Sequence, residues 1–231
     1  MAARRSLKLG PRDDDNPIMR TVWPGAALAI EVPMTERTPA LLSEAPKWMS
    51  AEMPPGYETR LWEIQRMSAE LQAMDRIGRV LWETGEALRD AVCAVFAALK
   101  YEVEATPGAS GPIVVKLGES RRLLVLVSGG ATPIQKTDEE LAHVFRAVQV
   151  ATVNDRVVLV ANNDPATPPA DRPDPVLPDA LAVLHRMGAD LVTTATLFRL
   201  WRLWGEDPAK AQNVLERLHA QDGGLFVVPS R

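Results

Sequence analysis

Residues 101–160 read YEVEATPGASGPIVVKLGESRRLLVLVSGGATPIQKTDEELAHVFRAVQVATVNDRVVLV. Three short apolar runs, YEVEA, PIVVKL and RRLLVLV, are separated by turns containing glycine, proline and serine. Short runs bounded by such punctuation read as strands. A helical pattern from Thr137 to about Val150 follows, and Thr137 with Glu140 forms a capping box at its start. A fourth run, RVVLV, closes the unit. Strands, then a helix, then another strand predict a small mixed sheet flanked by helices, an α/β core.

On the N-terminal side, residues 86–100 read as the helix that leads into the first strand. Thr84 is its N-cap residue, and Ala87, Val92, Val95, Phe96 and Leu99 form its apolar side. Its many alanines allow close approach to a sheet. Further upstream, Leu61, Ile64, Met67, Leu71, Met74, Ile77 and Leu81 recur every three or four residues, with charged residues between them. This spacing predicts a long amphipathic helix over 57–81, packed by that stripe. Its mixed charges read as a solvated face, and the helix is also a candidate pairing seam for a second subunit. Gly78 inside it costs about 1 kcal/mol relative to alanine, which points to a bend or a close helix contact.

On the C-terminal side, residues 162–178 form a proline-rich excursion, NNDPATPPADRPDPVLP. A short helix then reaches Met187 with Leu181, Val183 and Leu184 turned inward, and Gly188 is its C′ residue. A strand is expected at 189–193. Thr194 is read as the cap of a helix over 195–204, whose Leu197, Phe198, Leu200, Trp201, Leu203 and Trp204 are too bulky and apolar for full solvation. Asp207 and Pro208 open a final helix carrying Val214, Leu215 and Leu218. The tail LFVVP adds an edge strand.

Composition sets the wider frame. Nineteen prolines against 14 glycines are concentrated in 11–55 and 165–178. The chain therefore divides into a proline-rich, flexible or peripheral region, 1–56, and an α/β domain with its preceding amphipathic helix, 57–231. Residues 1–20 are expected to be disordered, and 26–32 is a candidate added strand. Trp48 and Met49, in KWMSAEMPP, are candidates either for packing a loop onto the domain or for contact with a partner. A net charge of -4 offers no general attraction for nucleic acid or anionic membrane. The single cysteine, Cys93, reads as a small core residue. No secretory pattern is visible, and VWPGAALAIEV is far short of the roughly 20 residues that span a bilayer. A reduced cytoplasmic setting with no membrane association is the expectation.

The phrases ALKYEVE at 98–104, PIVV at 112–115, LLVLVSGG at 123–130, VLVANN at 158–163 and LVTTATLFRL at 191–200 occur in an order and spacing that resembles the restriction-endonuclease-like, or PD-(D/E)XK, superfamily. More narrowly, they resemble a group of bacterial domains of that fold. The resemblance covers roughly half the chain and leaves residues 1–80 unmatched. It implies a metal-binding aspartate at the start of the second strand, where Pro112 stands. It also implies an acidic residue on the third strand near Leu126, and a lysine two positions later, where Ser128 stands. Phosphodiester hydrolysis by this plan needs a hard cation held by oxygen ligands. Pro112 and Leu126 offer no such ligand, and Ser128 carries no charge.

The expectation is therefore a non-catalytic binding or scaffold protein on a degenerate endonuclease-like fold, without a cofactor. It would act through protein contact and self-association as a dimer, with Trp48, Met49, Leu61, Ile64, Met67 and Leu71 as candidate interaction residues. One alternative is nucleic-acid binding without cleavage through Lys116, Arg121, Arg122 and Lys136. Another is a metal-dependent nuclease with a migrated site built from Glu104, Glu119 and Lys136. The segment SGGATP at 128–133 is a weaker candidate for a phosphate loop, since it lacks the GxxxxGK[ST] pattern. His143, His185 and His219 are widely separated, and each reads as a helix-surface or core-edge residue.

Overall fold

The apolar runs become strands whose order in space is their order in the chain. The computed structural model describes residues 49–105 and 111–228; the readings made for residues 1–48, including Trp48, fall outside them. The N-terminal part holds a short helix α1 (Met49–Glu52), the long helix α2 (Tyr57–Gly78), a 3-10 turn (Arg79–Leu81) and α3 (Gly85–Ala98). The sheet follows with β1 (Glu102–Ala105), β2 (Ile113–Lys116) and β3 (Arg122–Gly130). Then come α4 (Glu139–Val150), β4 (Asp155–Asn163), α5 (Pro178–Arg186) and β5 (Asp190–Thr193). The described chain closes with α6 (Thr194–Glu206), α7 (Pro208–Ala220) and β6 (Gly224–Phe226).

Among the described residues the six strands form one mixed sheet in the order β1 to β6. β1, β2 and β3 are an antiparallel meander, and β3, β4, β5 and β6 run parallel. Strand alternation sorts the side chains onto two faces. Ile113, Val115, Leu123, Val125, Val158, Val160, Val192 and Phe226 pack with α3, α6 and α7. Leu124, Leu126, Val157, Leu159 and Leu191 pack with α4 and α5. This explains why β3 and β4 read as unbroken apolar runs: both of their faces are covered.

The crossovers β3–α4–β4 and β5–α6–α7–β6 step the same way across the sheet but lie on opposite faces. They therefore have opposite hands. The usual right-handed preference is given up in one of them.

Several expectations are corrected in detail. The stripe of α2 is covered only in part: Leu61 and Ile77 are buried, whereas Ile64, Met67 and Leu71 between them are exposed. Spacing defines a stripe, but the side on which the next element packs decides whether it is covered. On α3, Leu88 is buried whereas Ala87 is exposed. The capping box at Thr137 does not form. Asp138 occupies the cap position of α4, its carboxylate accepts from the Gln135 amide, and Glu140 is drawn to Ser128. Thr193, not Thr194, caps α6 by accepting from the Thr196 amide at 3.1 Å. The final helix ends at Ala220, and the edge strand starts at Gly224.

Other local readings hold. Asp207 accepts from the Lys210 amide at 3.0 Å, with Pro208 as the first residue of α7. Gly188 adopts φ 68 after α5, and the Ala189 amide closes back on the Leu184 carbonyl at 3.0 Å. Gly78, by contrast, marks neither a bend nor a close helix contact: it keeps helical angles as the last residue of α2 and lies beside the Trp82 ring. Residues 128–130 are not a phosphate loop. They are the end of β3, paired with 161–163 of β4. There Gly129 permits a close approach, since a Cβ on it would lie 2.9 Å from Leu88 Cδ2 and 3.3 Å from Thr84 Cα.

Candidate interaction surface

Helix α2 presents an apolar line to solvent. Ile64, Met67 and Leu71, spaced three and four residues apart, are 57%, 48% and 66% exposed. A row of this spacing lies on one side of a helix. Beside its C-terminal half is a shallow open groove lined by Leu71, Gln72, Asp75, Arg76 and Arg79. Leu61, placed by sequence in the same candidate set, is buried and separate from this line. Met49 is at the surface in α1. A contiguous exposed row of large apolar side chains is a recognised mark of a contact surface.

The three positions expected from the sequence to differ from a catalytic site, Pro112, Leu126 and Ser128, lie on or beside β2 and β3. Ile113 pairs with Val125, so the preceding Pro112 falls beside Leu126. Leu126 and Ser128 share the face turned to α4, where the Ser128 hydroxyl donates to Glu140 at 3.1 Å. On the other face, the side chain of Arg89 in α3 is buried and donates to the Gly111 carbonyl, next to Pro112. Among the described residues, no group of three or more His, Cys, Asp and Glu is placed to hold a metal ion.

The four candidate phosphate-contacting cations are divided between the two ends of β3. Lys116 and Arg122 pair directly at its start, with Arg121 adjacent, whereas Lys136 follows its far end. Three of them are engaged by carboxylates. Lys116 Nζ lies 2.8 Å from Glu102 and 2.6 Å from Glu104, and these hydrogen bonds raise its pKa. Arg121 makes a two-pronged pair with Glu216, and Arg122 does so with Asp155 at 2.7 and 2.8 Å. The Arg122 hydrogen bond holds Asp155 down at about 2. For each of these cations a phosphate would compete with a carboxylate already in place. Glu104 is thus held on β1, while Glu119 sits in the turn between β2 and β3.

The remaining reactive groups are dispersed. His143 lies 3.2 Å from Glu139, His219 lies 3.1 Å from the Asn154 carbonyl, and His185 is exposed on α5. Cys93 is half-buried, and burial pushes its thiol up.

Sequence reasoning missed a polar hub at the C-terminal end of β4. Asn162, 1% exposed, donates to the Glu83 carbonyl at 2.8 Å. Its side-chain oxygen accepts from Arg172 at 2.6 Å and from Thr194 at 2.9 Å. Ligands of open α/β sheets commonly bind beyond the C-terminal strand ends. In this protein the proline-rich loop inserts Arg172 at that position. The only hint in the sequence is an arginine inside a proline-rich stretch.

No known protein family and no curated protein matches this chain. Among solved structures, restriction endonuclease FokI is similar, with a TM-score of 0.47 and 11% identity over 65% of this chain. The match spans 30% of that enzyme's length. Among the described residues no helix is long and apolar enough to cross a membrane.

Proposed function

We propose that this chain is a non-catalytic binding protein on an endonuclease-like α/β fold, acting through protein contact made by α2. The observation that carries this reading is the outward line of Ile64, Met67 and Leu71. Core side chains have been placed where water must solvate them, and a protein partner would remove that cost.

The residue types at Pro112, Leu126 and Ser128 support the non-catalytic part. The first two have no ligand oxygen in their side chains, and the third hydroxyl is bonded to Glu140. The carboxylates on Lys116, Arg121 and Arg122 favour a protein partner over a phosphate backbone. Nucleic-acid affinity at physiological salt is expected to be no tighter than micromolar, because competing ion pairs reduce the counterion-release term.

The test places a photo-crosslinking residue at position 67 or 71 of the full chain in cells. Position 59, exposed on another side of α2, serves as the control. Crosslinks to protein from 67 and 71, absent from 59 and lost with Ile64→Asp, are expected. Crosslinks only to nucleic acid, or none above the control, overturn the reading. In parallel, plasmid, single-stranded DNA and RNA are incubated with magnesium or manganese. Cleavage that disappears with Glu104→Ala or Glu119→Ala would sink the non-catalytic part.

A further inference from the structure

The outward side of α2 carries more than its apolar line. Arg60 lies four residues before Ile64, and Asp75 lies four residues after Leu71. All five residues from Arg60 to Asp75 on this stripe are exposed. The stripe therefore reads Arg60, Ile64, Met67, Leu71, Asp75: a cation, three apolar side chains and an anion, over about 22 Å of helix.

This order is self-complementary. Turned end for end about a point between Met67 and Ser68, a second copy sets Leu71 against Ile64 and Asp75 against Arg60. Met67 sits at the centre. In the parallel arrangement like charges would meet at both ends. An isologous two-fold contact needs one patch that complements itself, and this stripe meets that condition. Antiparallel helices also align their dipoles favourably. Asp75 already has Arg79 nearby at 3.7 Å, but that pair is exposed and is a weak competitor.

We infer that the occupant of this surface is a second copy of the chain, with the two α2 helices antiparallel and crossing at Met67. This rests on the proposed reading that α2 is a protein-contact surface and names its partner. The stripe is narrow, so a dissociation constant in the micromolar range is expected, not an obligate dimer.

Sedimentation velocity of the purified full chain, at tens of micromolar, is the deciding experiment. The expected result is a reversible dimer. Arg60→Asp and Asp75→Arg each place like charges opposite at both ends and should weaken it about tenfold or more. The double variant restores the pairing with signs exchanged and should return to within a few-fold of the parent. All positions are exposed, and circular dichroism checks that each variant is folded. A monomeric parent overturns the inference, as does a dimer indifferent to both single reversals. Attachment of a crosslinker at position 67 to residues 1–48 of the same chain would also overturn it. These outcomes are separable from failure of the broader reading: crosslinks in cells to a different protein leave α2 a contact surface, whereas the absence of any crosslink to protein, a second copy included, removes both.

Discussion

Arg172 Nη1 donates to the side-chain oxygen of Asn162 at 2.6 Å and joins the loop after β4 to the end of that strand. The same guanidinium reaches the Leu81 carbonyl at 2.5 Å and the Thr167 carbonyl at 2.8 Å. One side chain thereby holds together the sheet, the excursion and the turn before α3. Arg172→Ala should destabilise the protein by about 2–4 kcal/mol, because it leaves several acceptors without a donor. Lysine should rescue little, since it cannot reproduce the planar fork. Urea denaturation of Arg172→Ala, Asn162→Ala and the double variant measures the effect. A coupling of about 1 kcal/mol or more is expected.

At the other end of the parallel strands, Asp190 is 0% exposed, and its carboxylate lies 2.5 Å from Arg156 Nε. Burial pushes the Asp190 carboxyl above its usual range, and Arg156 opposes that rise. Arg156→Met leaves a buried charge unpaired and should cost about 3–5 kcal/mol at neutral pH. Removing the cation raises the folded-state pKa further, so the folded variant takes up a proton more readily as pH falls. Its deficit against the parent should therefore shrink toward acid pH. Pairing it with Asp190→Leu should recover most of the loss. Denaturation midpoints between neutral and acid pH check all three outcomes.

Asp155 gives the opposite pH dependence. Its carboxylate takes two hydrogen bonds from Arg122, and Thr152 adds backbone and hydroxyl donors at 2.8 Å. The folded-state value is about 2, below the ordinary value of 3.8. A depressed carboxyl contributes stability that is present above its unfolded pKa and is lost as pH falls through the folded one. The loss should fall between about pH 4 and pH 2. Thermal midpoints across that window should drop less steeply for Asp155→Asn, which is the less stable protein at neutral pH.

Lys100 follows α3 with φ 65, a left-handed conformation in a residue that carries a Cβ. Its amide reaches the Ala97 carbonyl at 3.0 Å, and the Tyr101 amide reaches Phe96 at 3.2 Å, closing the helix. Lys100→Gly should stabilise the fold by about 0.5–1 kcal/mol, after the entropy that glycine adds to the unfolded chain is counted. Lys100→Val should destabilise it. Differential scanning calorimetry resolves both changes.

Much of the architecture was legible because it rests on local rules. The runs at 113–116, 122–127 and 156–160 are strands, Asp207 with Pro208 starts a helix, and Gly188 ends one. Each depends on dihedral preference, strand period or a hydrogen bond within a few residues. Cap choice was less legible. Thr137 and Thr194 have the right chemistry, but Ser128 draws Glu140 away, and the Asn162 hub holds Thr194.

The sequence by itself determined which residues make each stripe, since side-chain period follows from backbone geometry. Only the tertiary structure decided which stripes are covered. The line of Ile64, Met67 and Leu71 has the spacing of a core face, yet α3 packs elsewhere on α2 and leaves it in water. The basic residues also needed the fold to be read. Lys116, Arg121 and Arg122 look like free cations in the chain, and their carboxylate partners are 12 to 95 residues away. Asn162 and Arg172 carry no motif. Buried polar groups must find partners wherever the chain brings them, so a hub is set by which loops converge and not by any local pattern.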